Sequence, residues 1–285
     1  MQLIFSKQGD YFKAKLETPG IALDQILDNN TFGQLAASIE AMGTKDKIHA
    51  KGKVNRFDYH DYHYSNISID GSYNHGLIKG DAEIADPNIN LSVKGDYNIK
   101  SNQYDLLADV QHLKPSILGI SMRDKSYCLN HISLNANNKS KDSYIDIEAP
   151  FANLHTKGQY DLGTLASCIK DMVADKLPTL PGIRKGKVVG NNDFTLQANI
   201  YSTEILDKMF GIPVSISSPV HINGNVSERA KDLNLLVTLP VFSYNGRPFH
   251  DGNIELSTTD DDALTLDARI SQGMPYEKAP TYHLQ

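Results

Sequence analysis

Between Arg56 and Ser68 the chain reads RFDYHDYHYSNIS, and here Asp58, His60, Asp61 and His63 alternate with Tyr59, Tyr62 and Tyr64. It is the densest run of ligand-type side chains in the sequence. Imidazoles and carboxylates this close could hold a divalent metal or act as an Asp–His acid–base pair. A zinc site needs three or four ligands converging on one point. The run leads directly into the alternating SNISIDGSY, so its simplest reading is a strand, in which neighbours point to opposite faces. Phe57, Tyr59, Asp61, His63, Ser65 and Ile67 would then share one face, and Asp58, His60, Tyr62, Tyr64 and Asn66 the other. The two histidines diverge, and each face keeps one Asp–His pair. The expectation is a row of tyrosines bordering a sheet, with no metal and no cofactor.

Other reactive patterns are missing from the sequence. There is no G-x-S-x-G elbow, Walker loop or H-E-x-x-H pair, and the carboxylates scatter through turns. Asp260, Asp261 and Asp262 read as a solvated hairpin turn, because a calcium loop needs further oxygen ligands at set spacings. Cys128 and Cys168 fit no metal spacing; two buried free thiols are expected, with a disulfide as the alternative. No catalytic residue emerges, and the chain is expected not to be an enzyme.

The elements that carry these residues are mostly strands. Period-2 alternation recurs in Asn66–Tyr73, Asn88–Ile99, Asp193–Ile200, Asp232–Leu239 and Asn253–Ile270. Helical spacing is confined to Asp161–Leu177, stopped by Pro178, and to Ser202–Gly211, with Ser or Thr to cap it and Gly211 to end it. Single turns are expected at Ile21–Asn30 and Lys114–Ile120. Lys176–Gly190, with two prolines and three glycines, is the best joint. It divides a repeated meander segment with an edge helix, 1–175, from a further meander segment with a short helix, 191–285.

One internal repeat is visible. PNINLSVKGDYNI (Pro87–Ile99) matches PFANLHTKGQYDL (Pro150–Leu162) in the frame P-x-x-N-L-x-x-K-G-x-Y-x-[IL]. Upstream, Ala82–Ile84 matches Ile145–Ile147, and Ile67–Ile69 matches Ile132–Leu134 across a two-residue deletion. Each unit is a meander whose apolar face cannot be buried alone, so stacked copies build one sheet with a continuous apolar side. Composition agrees: of 285 residues 40% are hydrophobic, Tyr reaches 14 and Trp is absent. A net charge of −6 without a Lys/Arg block argues against a nucleic-acid surface. No signal peptide or apolar run of transmembrane length is visible, and both termini suggest a piece of something longer.

His49–Ile99 resembles the TamB-like translocation and assembly module proteins of the AsmA-like superfamily, in their Bacteroidetes form. The resemblance is carried by Gly52-Lys53-Val54, by Y-x-Y-x-N-I-x-I-x-G at Tyr62–Gly71, by the step G-x-x-x-x-x-D-P ending at Asp86-Pro87, and by Lys94–Ile99. Leu235–Leu256 is similar to another unit of that family. The resemblance implies an all-β fold with a few short helices: an elongated, curved antiparallel sheet of repeated meanders forming a taco-like groove. It also implies a periplasmic location in a Gram-negative cell, an inner-membrane anchor outside this chain, and phospholipid acyl chains as cargo for outer-membrane biogenesis. An outer-membrane barrel of the Omp85 type is the implied partner, reached through parts of the parent chain not present here.

Alternation nominates Ile67, Ile69, Ile89, Leu91, Val93, Leu196, Ile200, Leu235 and Val237 for the apolar face. They either line an open groove or fill a closed core. Two competing functions remain at this point. One is a carbohydrate-binding or surface module stacking sugars on Tyr59, Tyr62 and Tyr64. The other is a solenoid-type polysaccharide enzyme, which requires carboxylates clustered on one face.

Overall fold

In a computed structural model of the chain the described residues are 2–140, 143–159, 164, 168, 192–258, 264–273 and 281–284. The chain divides into two compact units, Met1–Asn137 and Asn138–Gln285. Both are built from antiparallel strands. The expected joint at 176–190, most of the 161–177 helix and the Asp260–Asp262 turn lie outside the described residues.

The first unit is a meander of β1 (Gln2–Gln8), β2 (Tyr11–Ala22), β3 (Phe32–Gly43), β4 (Lys47–Tyr59), β5 (Tyr62–Tyr64), β6 (Ile67–Asn74), β7 (Leu77–Asp86), β8 (Ile89–Asn98), β9 (Gln103–Leu113) and β10 (Leu129–Asn137). A short helix α1 (Leu23–Leu27) follows β2, and a 3-10 turn (Pro115–Leu118) follows β9. Strands succeed one another through tight turns that the sequence dictates. His75-Gly76, joining β6 to β7, takes φ of 51° and 101°, the left-handed geometry whose twist suits a two-residue hairpin.

Register sorts the side chains into two sets. On one face successive strands align Val54, Ile67, Ile84, Leu91, Val110 and Ile132. On the other, Lys51, Asp70, Asp81 and Lys94 stand in one row, a ladder of mixed charge suited to water.

The second unit contains β11 (Ser143–Ala149), β12 (Ala152–Gln159), β13 (Asp193–Ile200), β14 (Val214–Ile216), β15 (Val220–Ser227), β16 (Asp232–Tyr244), β17 (Arg247–Thr258), β18 (Leu264–Gln272) and β19 (Thr281–Leu284). Its helix α2 (Glu204–Phe210) ends at Gly211, left-handed at φ 68°. The cap differs from expectation. Thr203 sits at the N-cap but donates its hydroxyl to the Val214 carbonyl at 2.6 Å, while Ser202 Oγ accepts from the Glu204 amide. The apolar row here is Ile147, Leu154, Ala198, Ile222, Val237, Ile254 and Ala268.

The repeat is one of register as well as sequence. Ala82 opposes Val93 and Ile84 opposes Leu91; in the second unit Ile145 opposes Thr156 and Ile147 opposes Leu154. The matched glycines fill the same role. A Cβ on Gly95 would lie 2.1 Å from the Asp105 carbonyl oxygen, and one on Gly158 2.3 Å from that of Asp193.

Candidate functional site

The histidine-rich run is a hairpin rather than one strand, and this corrects the face assignment. His60 and Asp61, at φ 48° and 61°, form a two-residue turn that folds β5 back on β4. Phe57 then opposes Tyr64, Tyr59 opposes Tyr62, and Asp58 opposes His63. Phe57, Tyr59, Tyr62 and Tyr64 therefore share the apolar side, and Asp58 and His63 share the other. His63 Nδ1 lies 2.7 Å from Asp58 Oδ1, and Arg56 reaches both carboxylate oxygens of Asp58 at 2.8 Å. Those Arg56 bonds, aided by the Gln34 amide and His63, outweigh burial and pull the Asp58 carboxyl down to about 2. Asp58 is a structural anion with its lone pairs engaged. Among the described residues no three His, Cys, Asp or Glu side chains gather as a metal site.

A second carboxylate holds the hairpin in place. The β4 ladder partner breaks between β5 and β6, where Asn66 turns left-handed at φ 50°. Asp86, only 4% exposed, reaches into that break. It accepts the Ser65 amide at 3.0 Å, the Ser65 hydroxyl at 2.6 Å, the Asn88 amide at 2.9 Å and the Tyr62 hydroxyl. A backbone bond lost from the ladder is thus replaced by a carboxylate. Burial pushes the Asp86 carboxyl up, but the bonds from Ser65, Tyr62 and Asn88 outweigh it and hold the group below its ordinary value.

The hairpin forms one end of the apolar face. Tyr64, Ile89 and Ile117 are buried together, with Phe57, Tyr59, Tyr62, Ile67, Ile84, Leu91 and Leu113 packed around them. Ile117 comes from the 3-10 turn, which lies over the sheet and accepts the Tyr64 hydroxyl on its own backbone at 3.1 Å.

Further along the same strands nothing described covers the face. A groove of about 460 Å³ opens there, lined by Ile48, Ile69, Tyr73, Ile78, Val93, Tyr97 and Leu106. Ile78 is 44% exposed and Tyr97 38%. The small residues of its floor, Ala50, Gly71, Gly80 and Gly95, stand in register across four strands, and Leu106 follows on the next. With neighbouring strands about 4.8 Å apart, the four steps from Ala50 to Leu106 span roughly 19 Å. Larger side chains flank the row, with Ile48, Tyr73, Ile78 and Tyr97 on one side and Ile69 and Val93 on the other.

The nine nominated residues all lie on the apolar faces but do not form one site. Ile69 and Val93 line the groove, whereas Ile67, Ile89 and Leu91 belong to the covered end. In the second unit Leu196 and Leu235 flank Gly224 beside a smaller cavity of about 380 Å³; Ile200 and Val237 occupy adjacent rows. Cys168, from the segment expected to be helical, is buried there against Phe194, Val226 and Leu233. Neither cysteine is in a disulfide, and Cys128 is half-buried rather than buried. Ile48, Tyr73, Ile78, Tyr97, Leu106 and the glycine floor were missed by alternation alone. Their signal was the hairpin arithmetic: a turn at His75-Gly76 sets Gly71 opposite Gly80.

Compared with protein-family models, curated proteins and solved structures, the chain finds no match.

Proposed function

We propose that the chain is a non-enzymatic, lipid-conducting segment of an envelope-spanning protein of the TamB/AsmA-like kind, working in the periplasm toward outer-membrane assembly. The observation that carries this reading is the uncovered apolar groove with its glycine floor. Burying a methylene contributes about 0.8 kcal/mol, so an acyl chain gains affinity from length alone and needs no specific polar contact. A groove of roughly 19 Å exceeds the ~15 Å that one leaflet contributes to a ~30 Å hydrocarbon core. One extended chain fits along it, running across the strands. The sugar-stacking alternative loses its platforms, because Tyr64 is buried and Tyr59 and Tyr62 pack against it.

Native mass spectrometry and lipid extraction of the chain purified from bacterial cells test the proposal. Phospholipid should co-purify, and Val93→Glu, which sets a carboxylate on the groove wall, should abolish it. Lipid-free protein, or lipid retained undiminished by Val93→Glu, refutes the reading.

A further inference from the structure

We propose that the water-facing side of the second unit binds a neutral glycan, laid across β13, β15, β16 and β17. Alternation puts Thr195, Gln197, Asn223 and Leu236 on the side opposite Phe194, Val226 and Leu233, which are buried. Two rows stand in register there: Thr195, Asn225, Asn234 and Ser257, then Gln197, Asn223, Leu236 and Glu255. They line the cavity of about 380 Å³. Three steps between strands give it roughly 14 Å across the sheet, room for a short oligosaccharide.

Charge decides the class of ligand. Residues 195–199, 221–225 and 234–238 contain no Lys, Arg, Asp or Glu, whereas the water-facing row of the first unit holds Lys51, Asp70, Asp81 and Lys94. A face kept only for solubility favours interspersed charge; this one is built of amides. Each amide offers two N–H donors and a carbonyl acceptor, which suits a hydroxyl that both gives and takes a bond. Several are held in place before a ligand arrives. Asp232 accepts from Asn225 at 3.1 Å and from Asn234 at 2.9 Å. Asn199 donates to Asn153 Oδ1 at 2.9 Å, and Asn153 donates to the Tyr201 hydroxyl at 3.0 Å. Groups fixed in advance lose little freedom on binding. Sugars also present C–H faces, and Leu236 and Tyr201, 38% and 46% exposed, supply apolar contacts beside the amides. An extended peptide pairs at a sheet edge, but β13, β15 and β16 have partner strands on both sides.

Calorimetric titration of the full chain with linear hexasaccharides of glucose and of N-acetylglucosamine tests this. At least one should bind, and equally well at low and high salt, because the contacts are neutral. Asn223→Ala and Gln197→Ala should each weaken that binding about 2–10-fold, and the double variant should leave no measurable heat. Both side chains are exposed, so the variants should keep the wild-type far-UV spectrum and urea midpoint. Val93→Glu, on the wall of the apolar groove, should leave glycan binding unchanged, so this face stands or falls separately from the lipid reading. Absence of binding by both sugars overturns the proposal. Affinity that Asn223→Ala and Gln197→Ala leave intact, or that high salt abolishes, overturns it too. So does a Gly/Ser peptide that binds as tightly as either glycan, because it marks a face without preference for hydroxyls.

Discussion

Replacing Asp86 by alanine removes the acceptor that fastens the aromatic hairpin to the rest of the first unit. The carboxylate is 4% exposed and takes bonds from the Ser65 amide and hydroxyl, the Asn88 amide and the Tyr62 hydroxyl. After the change the two amides lose their acceptor, at about 1–3 kcal/mol each. The Tyr62 hydroxyl keeps the bond that Asn88 Nδ2 donates to it at 2.9 Å, so its loss is partial. Water entering the vacated space offsets part of the total, leaving about 3–5 kcal/mol. Against a typical domain stability of about 5–15 kcal/mol, the urea midpoint followed by circular dichroism should fall by roughly 1 M or more. Asp86→Asn keeps the shape and one acceptor oxygen, and should cost about half as much.

The pH dependence follows from the lowered Asp86 carboxyl. A depressed folded-state value contributes stability that is present above the unfolded value, near 4, and is lost as pH falls through the folded value. Asp86→Asn should flatten that acid limb. An alanine cost below about 1 kcal/mol, or an acid limb that Asp86→Asn leaves unchanged, refutes the role assigned to this carboxylate.

Three further outcomes follow from other positions. Gly95→Ala should destabilise by about 1–3 kcal/mol or more, because its Cβ would meet backbone at 2.1 and 3.0 Å, whereas Gly71→Ala, whose nearest neighbour is at 3.6 Å, should be neutral or slightly stabilising in the same urea titration. Ile117→Ala should cost about 2–4 kcal/mol and raise the fluorescence of a bound hydrophobic dye, since Ile117 covers the aromatic end. Asp58→Asn should remove about 1 kcal/mol, after discounting for solvent screening. That loss should be seen above pH 4 and vanish as pH falls through about 2, where the wild-type carboxylate is itself protonated.

The all-β class and the strand faces were legible because period-2 alternation is a direct image of the pleat. Asp193–Ile200 is a strand with the bounds its pattern gave, and Ile67, Ile69, Leu91 and Val93 fall on the apolar side as their spacing required. The reading failed at Arg56–Ser68, where alternation persists through a turn. His and Asp both tolerate left-handed backbone, but the tyrosines on either side keep the period unbroken and mask the turn. The run nevertheless carries a mirror pattern, F-D-Y-H-D-Y-H-Y, in which Asp58 and His63, Tyr59 and Tyr62, Phe57 and Tyr64 sit equidistant from its centre. Such symmetry is what a hairpin needs, and it outranks period when the two conflict. Asp86 was legible only as part of a D-P step. Its role depends on a break in a strand twenty residues earlier in the chain, which no local pattern reports.

Whether the apolar face is a core or a groove is decided by side-chain size at one register position. β6, β7 and β8 each carry large residues at one end, Ile67, Ile84 and Leu91, and these lie under the 3-10 turn. Four residues along the same strands the aligned positions are Gly71, Gly80 and Gly95. A face intended for closure would place branched side chains there to meet a covering layer at interior density. Three glycines instead lower the floor and leave Ile78 and Tyr97 standing above it as ridges. They also limit the apolar area shown to water while the groove is empty, and exposed apolar area is the quantity that drives aggregation. Large residues at these positions would either fill the groove or widen the sticky surface. Glycine avoids both, at a conformational-entropy cost to the strand. At Gly80 and Gly95 the neighbouring backbone already forbids a Cβ, at 2.4 and 2.1 Å. Gly71 has room for one, so Gly71→Ala is the substitution that narrows the groove without straining the fold.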